Sequence, residues 1–396
     1  MLSVTVTDVS GDFFRDLNRG FTPVCTESPC KDQDYLYSLT SRVVSVDPGS
    51  MSVRLERPLP WNVTEAFLPK IHRWAPKLQE VGVEGLAFEF ASPRYAGHFK
   101  EEGFNGLQFQ DVANCWANDL LFINPDLGIM TPGVHFCTFS NMRFTATAAR
   151  TSVYAGHHAV TVSKSATDTL VTSFLVAQPF IHDMAIEWFV RGIAFTNGTG
   201  VNLNLDHHTA QTYQVLWTDL DLGRGTRVYD TGGVRSRGLD AGSFTTFWAL
   251  RSNTALPDRP MSDMGPWLNF VAAGELNSAF PRPGASALTR TWHLEQDISP
   301  RDLTPGNLHT AQVALRLGQA GLDNLPKPMD LGPVGAWIPS SQRTPPRPPP
   351  PPRTTSPPPP VRPPPPARPP SPPPPPRKSP PPPGKASPPP YPPPPE

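Results

Sequence analysis

The chain has 396 residues, 55 of them proline, and its 34 Lys+Arg balance 34 Asp+Glu to a formal charge of zero. No stretch holds the roughly 18 apolar residues of a membrane span, and the body lacks a Lys/Arg stripe interleaved with aromatics, which sets membrane insertion and nucleic-acid binding aside. The neutrality hides an asymmetry: residues 345–396 carry Arg347, Arg353, Arg362, Arg368, Arg377, Lys378 and Lys385 against Glu396, about +6, which leaves the remainder about −6.

Residues 1–80 are expected to supply N-terminal strands and loops that lead into the main domain. Met1-Leu-Ser-Val-Thr-Val-Thr-Asp8 lacks the basic start and apolar run of a signal peptide, so a secreted protein would have lost its true start. Cys25 and Cys30, five apart in a proline-containing loop, suit a small local disulfide. Ser41–Asp47 and Ser52–Glu56 alternate like two strands about Pro48-Gly49. Asn62-Val-Thr64 and, further on, Asn197-Gly-Thr199 are glycosylation sequons.

Over residues 81–253 a short strand followed by Asn, Asp, Thr or Gly recurs. Aligning Leu120, Met142, Leu170, Ile193 and Val215 gives steps of 22, 28, 23 and 22. Two or three strands per turn of about 22 residues is the arithmetic of a parallel β-helix. A leucine-rich repeat has a similar period, but its regular leucines and Asn ladder are missing. Cys115 and Cys137, one turn apart, either bond or remain two buried thiols; neither cysteine pair has zinc-knuckle spacing. Residues 254–344 lose the rhythm and are expected to form an irregular C-terminal cover, with a short helix near Asn307–Leu317, over the end of the coil. Residues 345–396 have too little apolar surface to offset chain entropy and are expected to stay extended or disordered.

Gly82-Val-Glu-Gly-Leu-Ala-Phe88, Trp116 to Asp126, Gly156-His-His158, His182-Asp183, Asp206-His-His208 and Gly223-Arg-Gly-Thr-Arg227 resemble right-handed parallel β-helix proteins of the pectin-lyase-like superfamily. That resemblance implies an all-β, right-handed parallel β-helix (solenoid) followed by a disordered polyproline tail. It is specific for fold and weak for activity, since the superfamily includes lyases, hydrolases, esterases, epimerases and non-catalytic surface proteins. The tail, with Ser356, Ser371, Ser379 and Ser387 each followed by proline runs, resembles extensin-like, hydroxyproline-rich wall glycoproteins of plants and volvocine green algae. This implies an extracellular or cell-wall location, with the tail meeting the wall matrix. A proline-rich ligand on an intracellular scaffold is the competing reading.

The candidate site residues are His158, His182, Asp183, Asp206, His207, Arg227 and Asp230. His158 to His182 is 24 residues, Asp183 to Asp206 is 23 and Asp206 to Asp230 is 24, so coiling would stack them on successive turns roughly 4.8 Å apart. Aspartates so placed suit glycoside hydrolysis. A histidine base with Arg224 or Arg227 as the cation suits eliminative cleavage beside a uronate. Together with His157 and His208 the set also offers ligands for a divalent metal. Neighbouring strand residues face opposite ways, so one histidine of each pair can join the column. Each residue also has a structural alternative, satisfying the backbone of adjacent loops. Gly97-His98 with Glu101 and Glu102 lies on an insert that can overhang the groove or stand as a solvated loop. The expected function is polysaccharide binding with cleavage by a lyase or hydrolase mechanism; the alternative is a non-catalytic wall rod.

Overall fold

The computed structural model describes residues 1–7, 11–21, 37–91, 94–258, 264–275 and 289–334. Cys25, Cys30 and the proline-rich segment 345–396 lie outside the described residues, and so do the disulfide and disorder expected there.

The N-terminal portion forms its own small layer. β1 (Leu2–Val6) sits between β2 (Tyr37–Ser41) and β5 (Lys70–Arg73) in an antiparallel sheet, and α1 (Asp12–Leu17) packs beside it. β3 (Val43–Asp47) and β4 (Ser52–Leu55) make the hairpin expected around Pro48-Gly49. Phe13, Tyr37, Trp61 and Phe67 cluster edge to face and bury against Phe189 of the main domain. His135 joins the two parts, bonding Thr167 at 2.8 Å and Thr40 at 3.4 Å.

From Gly82 onward the strands pair in parallel, each with a strand of a neighbouring turn. The elements run β6 (Gly82–Glu89), β7 (Asn105–Gln108), β8 (Trp116–Ile123), β9 (Leu127–Pro132), β10 (Thr138–Thr145), β11 (His158–Ser163), β12 (Thr167–Val176), β13 (His182–Ile186), β14 (Arg191–Gly200) and β15 (Leu205–His207). They continue as β16 (Leu216–Asp221), β17 (Thr246–Arg251), β18 (Asn269–Ala273) and β19 (His293–Glu295). One sheet holds nine strands in the order β19-β18-β17-β16-β14-β12-β10-β8-β6, the other five in the order β15-β13-β11-β9-β7. The described residues are therefore mostly β and coil in parallel, alternating between two sheets as far as β16, after which β17, β18 and β19 all join the nine-stranded sheet.

Backbone conformation explains how an irregular sequence keeps a regular coil. Glu80, Asn114, Phe136, Asp168, Gly192, Gln214, Phe244 and Trp267 have positive φ, and so, five residues later each time, do Gly85, Asp119, Asn141, Ser173, Asn197, Asp219, Ala249 and Ala272. Both columns step by 34, 22, 32, 24, 22, 30 and 23 residues. From β6 to β18, each strand of the nine-stranded sheet thus has one left-handed residue at or just before its start and a second inside it, while insertions are confined to the loops. Left-handed backbone costs about 1–2 kcal/mol for most residues, and Asn, Asp and Gly tolerate it best; they fill half of these positions.

The register corrects the sequence alignment. Leu120 does lie beside Met142, but the next residue in that column is Phe174, and Leu170 pairs with Ala194. The parallel sheet also runs through β18 and β19, past residue 253 where the sequence rhythm fades.

Inside, aromatic rings repeat the strand spacing. Phe88, Phe122 and Phe144 stack at 5.1 and 5.0 Å, Phe195 on Trp217 at 4.1 Å, and Phe247 on Phe270 at 4.9 Å. The sequence-expected helix is α2 (Leu308–Asp323), capped by the Asn307 side chain accepting from the Thr310 N–H at 2.9 Å. It covers the flank of the nine-stranded sheet, not the end of the coil. Asn307 Nδ2 donates to Thr196, Asn197 and Asp219, the last two belonging to a left-handed column. Cys115 and Cys137 are free buried thiols, and burial pushes Cys137 up to about 12.

Candidate functional site

One corner of the coil gathers five histidines. His182 begins β13 and lies in register with His158, the first residue of β11, so the 24-residue spacing does place them on adjacent strands. Their rings stack at 4.6 Å and 25°. His157, immediately before β11, lies 4.2 Å from His158 and 5.3 Å from His182, ring to ring. Both members of this pair reach the cluster because His157 precedes the strand, where alternation does not apply. His208 closes the group, 5.0 Å from His182 and 6.4 Å from His158.

Asp206 is the organising carboxylate. It is fully buried, and its Oδ2 accepts from Nδ1 of His182 and Nδ1 of His208, each at 2.9 Å. A carboxylate only accepts, so both Nδ1 atoms carry the proton. Its Oδ1 accepts the Gly232 N–H at 2.6 Å. A Cβ at residue 232 would fall 2.1 Å from the His208 ring and 2.8 Å from that of His182, so this close approach requires glycine. Burial pushes the Asp206 carboxyl up, but the two imidazole hydrogen bonds outweigh it and hold the group well below the usual carboxylate range. Burial pulls His208 down, but the bond to Asp206 and the charges of Asp206 and Glu187 leave it raised. His158 is lowered, first by burial and then by the neighbouring imidazoles.

Two loops complete the corner, and Asp126 holds both. The loop between β6 and β7 brings His98 to 4.4 Å from His157, ring to ring, and Glu101 Oε1 to 3.1 Å from His157 Nδ1. Glu101 is steadied by the Tyr95 hydroxyl at 2.7 Å and the Phe99 N–H at 3.2 Å. Asp126 Oδ2 accepts the N–H groups of Gly103 and Phe104 on this loop, while its Oδ1 pairs with buried Arg150 at 2.7 Å on the loop between β10 and β11. The insert weighed in the sequence as an overhang or a solvated loop is thus part of the cluster. Nothing in the local residues of an insert ending 15 positions after β6 announces where it folds back.

The remaining sequence candidates lie elsewhere. Asp183 is not stacked on Asp206: Asp206 pairs with Ala185. Asp183 accepts the N–H groups of Phe180 and Asn204 at 2.7 and 2.8 Å, and burial raises its pKa. Arg227 lies 3.7 Å from Asp183, donates to the Ile181 carbonyl at 2.5 Å and covers the Tyr154 ring at 5.2 Å. Arg224 is exposed. Asp230 is exposed, and the contacts tying it to this corner run through its backbone. His207 faces the core, where its Nε2 accepts from Trp217 Nε1 at 2.9 Å and burial lowers it to about 3. The parity of Leu203 and Leu205 carries the signal that His207 points inward and His208 outward.

Two clefts beneath α2, about 280 and 480 Å³, are lined by residues of the nine-stranded sheet such as Thr172, Asn197, Asp168 and Gln214 together with His309. None of the cluster lines them. A large cleft is the default place to look for a site, but here the convergent titratable groups are at the imidazole corner, which is the better candidate. No protein-family model matches the chain, and no curated protein matches it.

Proposed function

We propose that the protein is an extracellular or cell-wall polysaccharide-binding protein, built as a right-handed parallel β-helix of the pectin-lyase-like kind, that cleaves an acidic glycan by elimination at the imidazole corner. One observation carries the reading: His158, partly exposed although its unpartnered Nδ1 is buried, lies 6.4 Å from the His208 ring, whose own Nδ1 is held by buried Asp206. Elimination beside a uronate needs one group to take a proton and another to give one. His158 removes the proton alpha to the carboxylate, the freed pair forms the carbon–carbon double bond, the bond to the leaving sugar oxygen breaks, and His208 protonates that oxygen. Carboxyl-pair hydrolysis has less support, because Asp183 and Asp206 are buried with their oxygens committed to hydrogen bonds. Phe99, 81% exposed and stacked on His98, offers an apolar face to a sugar ring. The serine- and proline-rich tail then serves as a matrix anchor or spacer.

Incubating the full chain with acidic plant and algal polysaccharides tests the reading. Products with unsaturated ends are expected, and His158→Gln and His208→Gln should each slow their release by about 10²–10⁴-fold with the folded state retained. Saturated products with new reducing ends would move the chemistry to hydrolysis. Binding without products would favour the non-catalytic rod, a reading helped by the structural roles of Asp183, Arg227 and His207.

A further inference from the structure

The geometry points to a metal centre of the zinc class at His98, His157 and His182. One ring nitrogen from each lies within 4.8 Å of one from each of the others. Nitrogen ligands of tetrahedral zinc sit about 2.0–2.1 Å from the ion, hence about 3.4 Å from one another. Closing the set to that spacing takes a shift of His98, which is exposed on its loop, and of the His157 ring relative to His182.

The second observation is independent of the clustering. His182 is 6% exposed, and its Nε2 is buried with no hydrogen-bond partner. An orphaned buried imidazole nitrogen is costly, and a cation answers it directly. Both better-buried histidines are also oriented as ligands: Asp206 accepts from His182 Nδ1, and Glu101 lies against His157 Nδ1. A carboxylate on one ring nitrogen fixes the tautomer and leaves the Nε2 lone pair of each ring for an ion. Three neutral imidazoles also suit zinc or cobalt over calcium, which prefers oxygen. The grouping of His182, Asp206 and His208 is not a second site, since its short contacts are the Nδ1–H hydrogen bonds already described. Three protein ligands leave a fourth position open to water or substrate.

This inference rests on the imidazole geometry alone and stands or falls apart from the polysaccharide reading. The test uses the full chain, untagged and stripped of metal, titrated with Co²⁺ and Zn²⁺. One equivalent should bind, with the intense visible absorption of tetrahedral cobalt, and Zn²⁺ should raise the melting temperature. His98→Ala, on an exposed loop, and His157→Ala should each weaken binding on the order of 100-fold, and Glu101→Gln by about 10–100-fold. His72→Ala, an exposed strand residue outside the corner, should change nothing. Absence of saturable one-to-one binding, or binding of wild-type strength in both His98→Ala and His157→Ala, would overturn the assignment.

Discussion

Among the ten histidines of the chain, environment separates roles that residue type does not. His207 and His208 are neighbours in sequence, yet one is a neutral acceptor for Trp217 in the core and the other a partner of a buried carboxylate. Replacing His207 by Phe should orphan the Trp217 Nε1–H and cost about 1–3 kcal/mol in urea unfolding at neutral pH, with metal affinity unchanged. Loss of metal binding would instead place His207 in the site. The same residue contributes to acid sensitivity. His207 is lowered to about 3 and His135 to about 4, both chiefly by burial, while an unfolded histidine titrates near 6.5. Between those values the unfolded chain binds more protons, so their contribution is complete above about pH 6.5 and is lost as pH falls towards 4 and then 3. Stability should fall by up to about 1.4 kcal/mol per pH unit for each such histidine between about pH 6 and 5, and His207→Phe should remove one proton from that slope. An unchanged slope would mean that His207 is not buried as described.

At the scale of elements, the coil was legible in the sequence because its strands repeat, but its register was not. The step of 22 between Leu120 and Met142 survives, whereas the insertion between β10 and β11 lengthens the next turn to 32 and carries Leu170 out of the column. The signal that tracks the turns is the paired left-handed bends, and only half of those positions hold the Asn, Asp or Gly that would announce them. Stacked rings on successive strands supply the packing that fixes register. Phe122, fully buried between Phe88 and Phe144, should cost about 3–5 kcal/mol when replaced by Ala, measured by chemical denaturation; a cost below about 1 kcal/mol would contradict the stack. The cover behaves as a local unit. Asn307→Ala removes both the helix cap and the bonds to Thr196, Asn197 and Asp219, and should raise amide exchange across α2 while β8 and β10 stay protected. Equal loss of protection in the strands would show that the helix is integral to the coil.

Across the whole molecule, parallel coiling turns residues distant in order into neighbours, and that makes the site. His158 and His182 were legible as a pair because a fixed spacing reported one turn. His98 and Glu101 were not, because their position depends on a loop folded back and tied by Asp126 to a second loop around Arg150. Asp183, Arg227 and Asp230 share the spacing without sharing the cluster, since spacing gives the turn but not the side from which a side chain projects. Nuclear magnetic resonance of ring-¹⁵N-labelled histidine in the metal-stripped full chain tests the central claim most directly. The account predicts exchange-protected protons on Nδ1 of His182 and His208, both lost in Asp206→Ala, with ring-to-ring contacts joining His157, His158 and His182. Independent, solvent-exchanging imidazoles with no such contacts would contradict it.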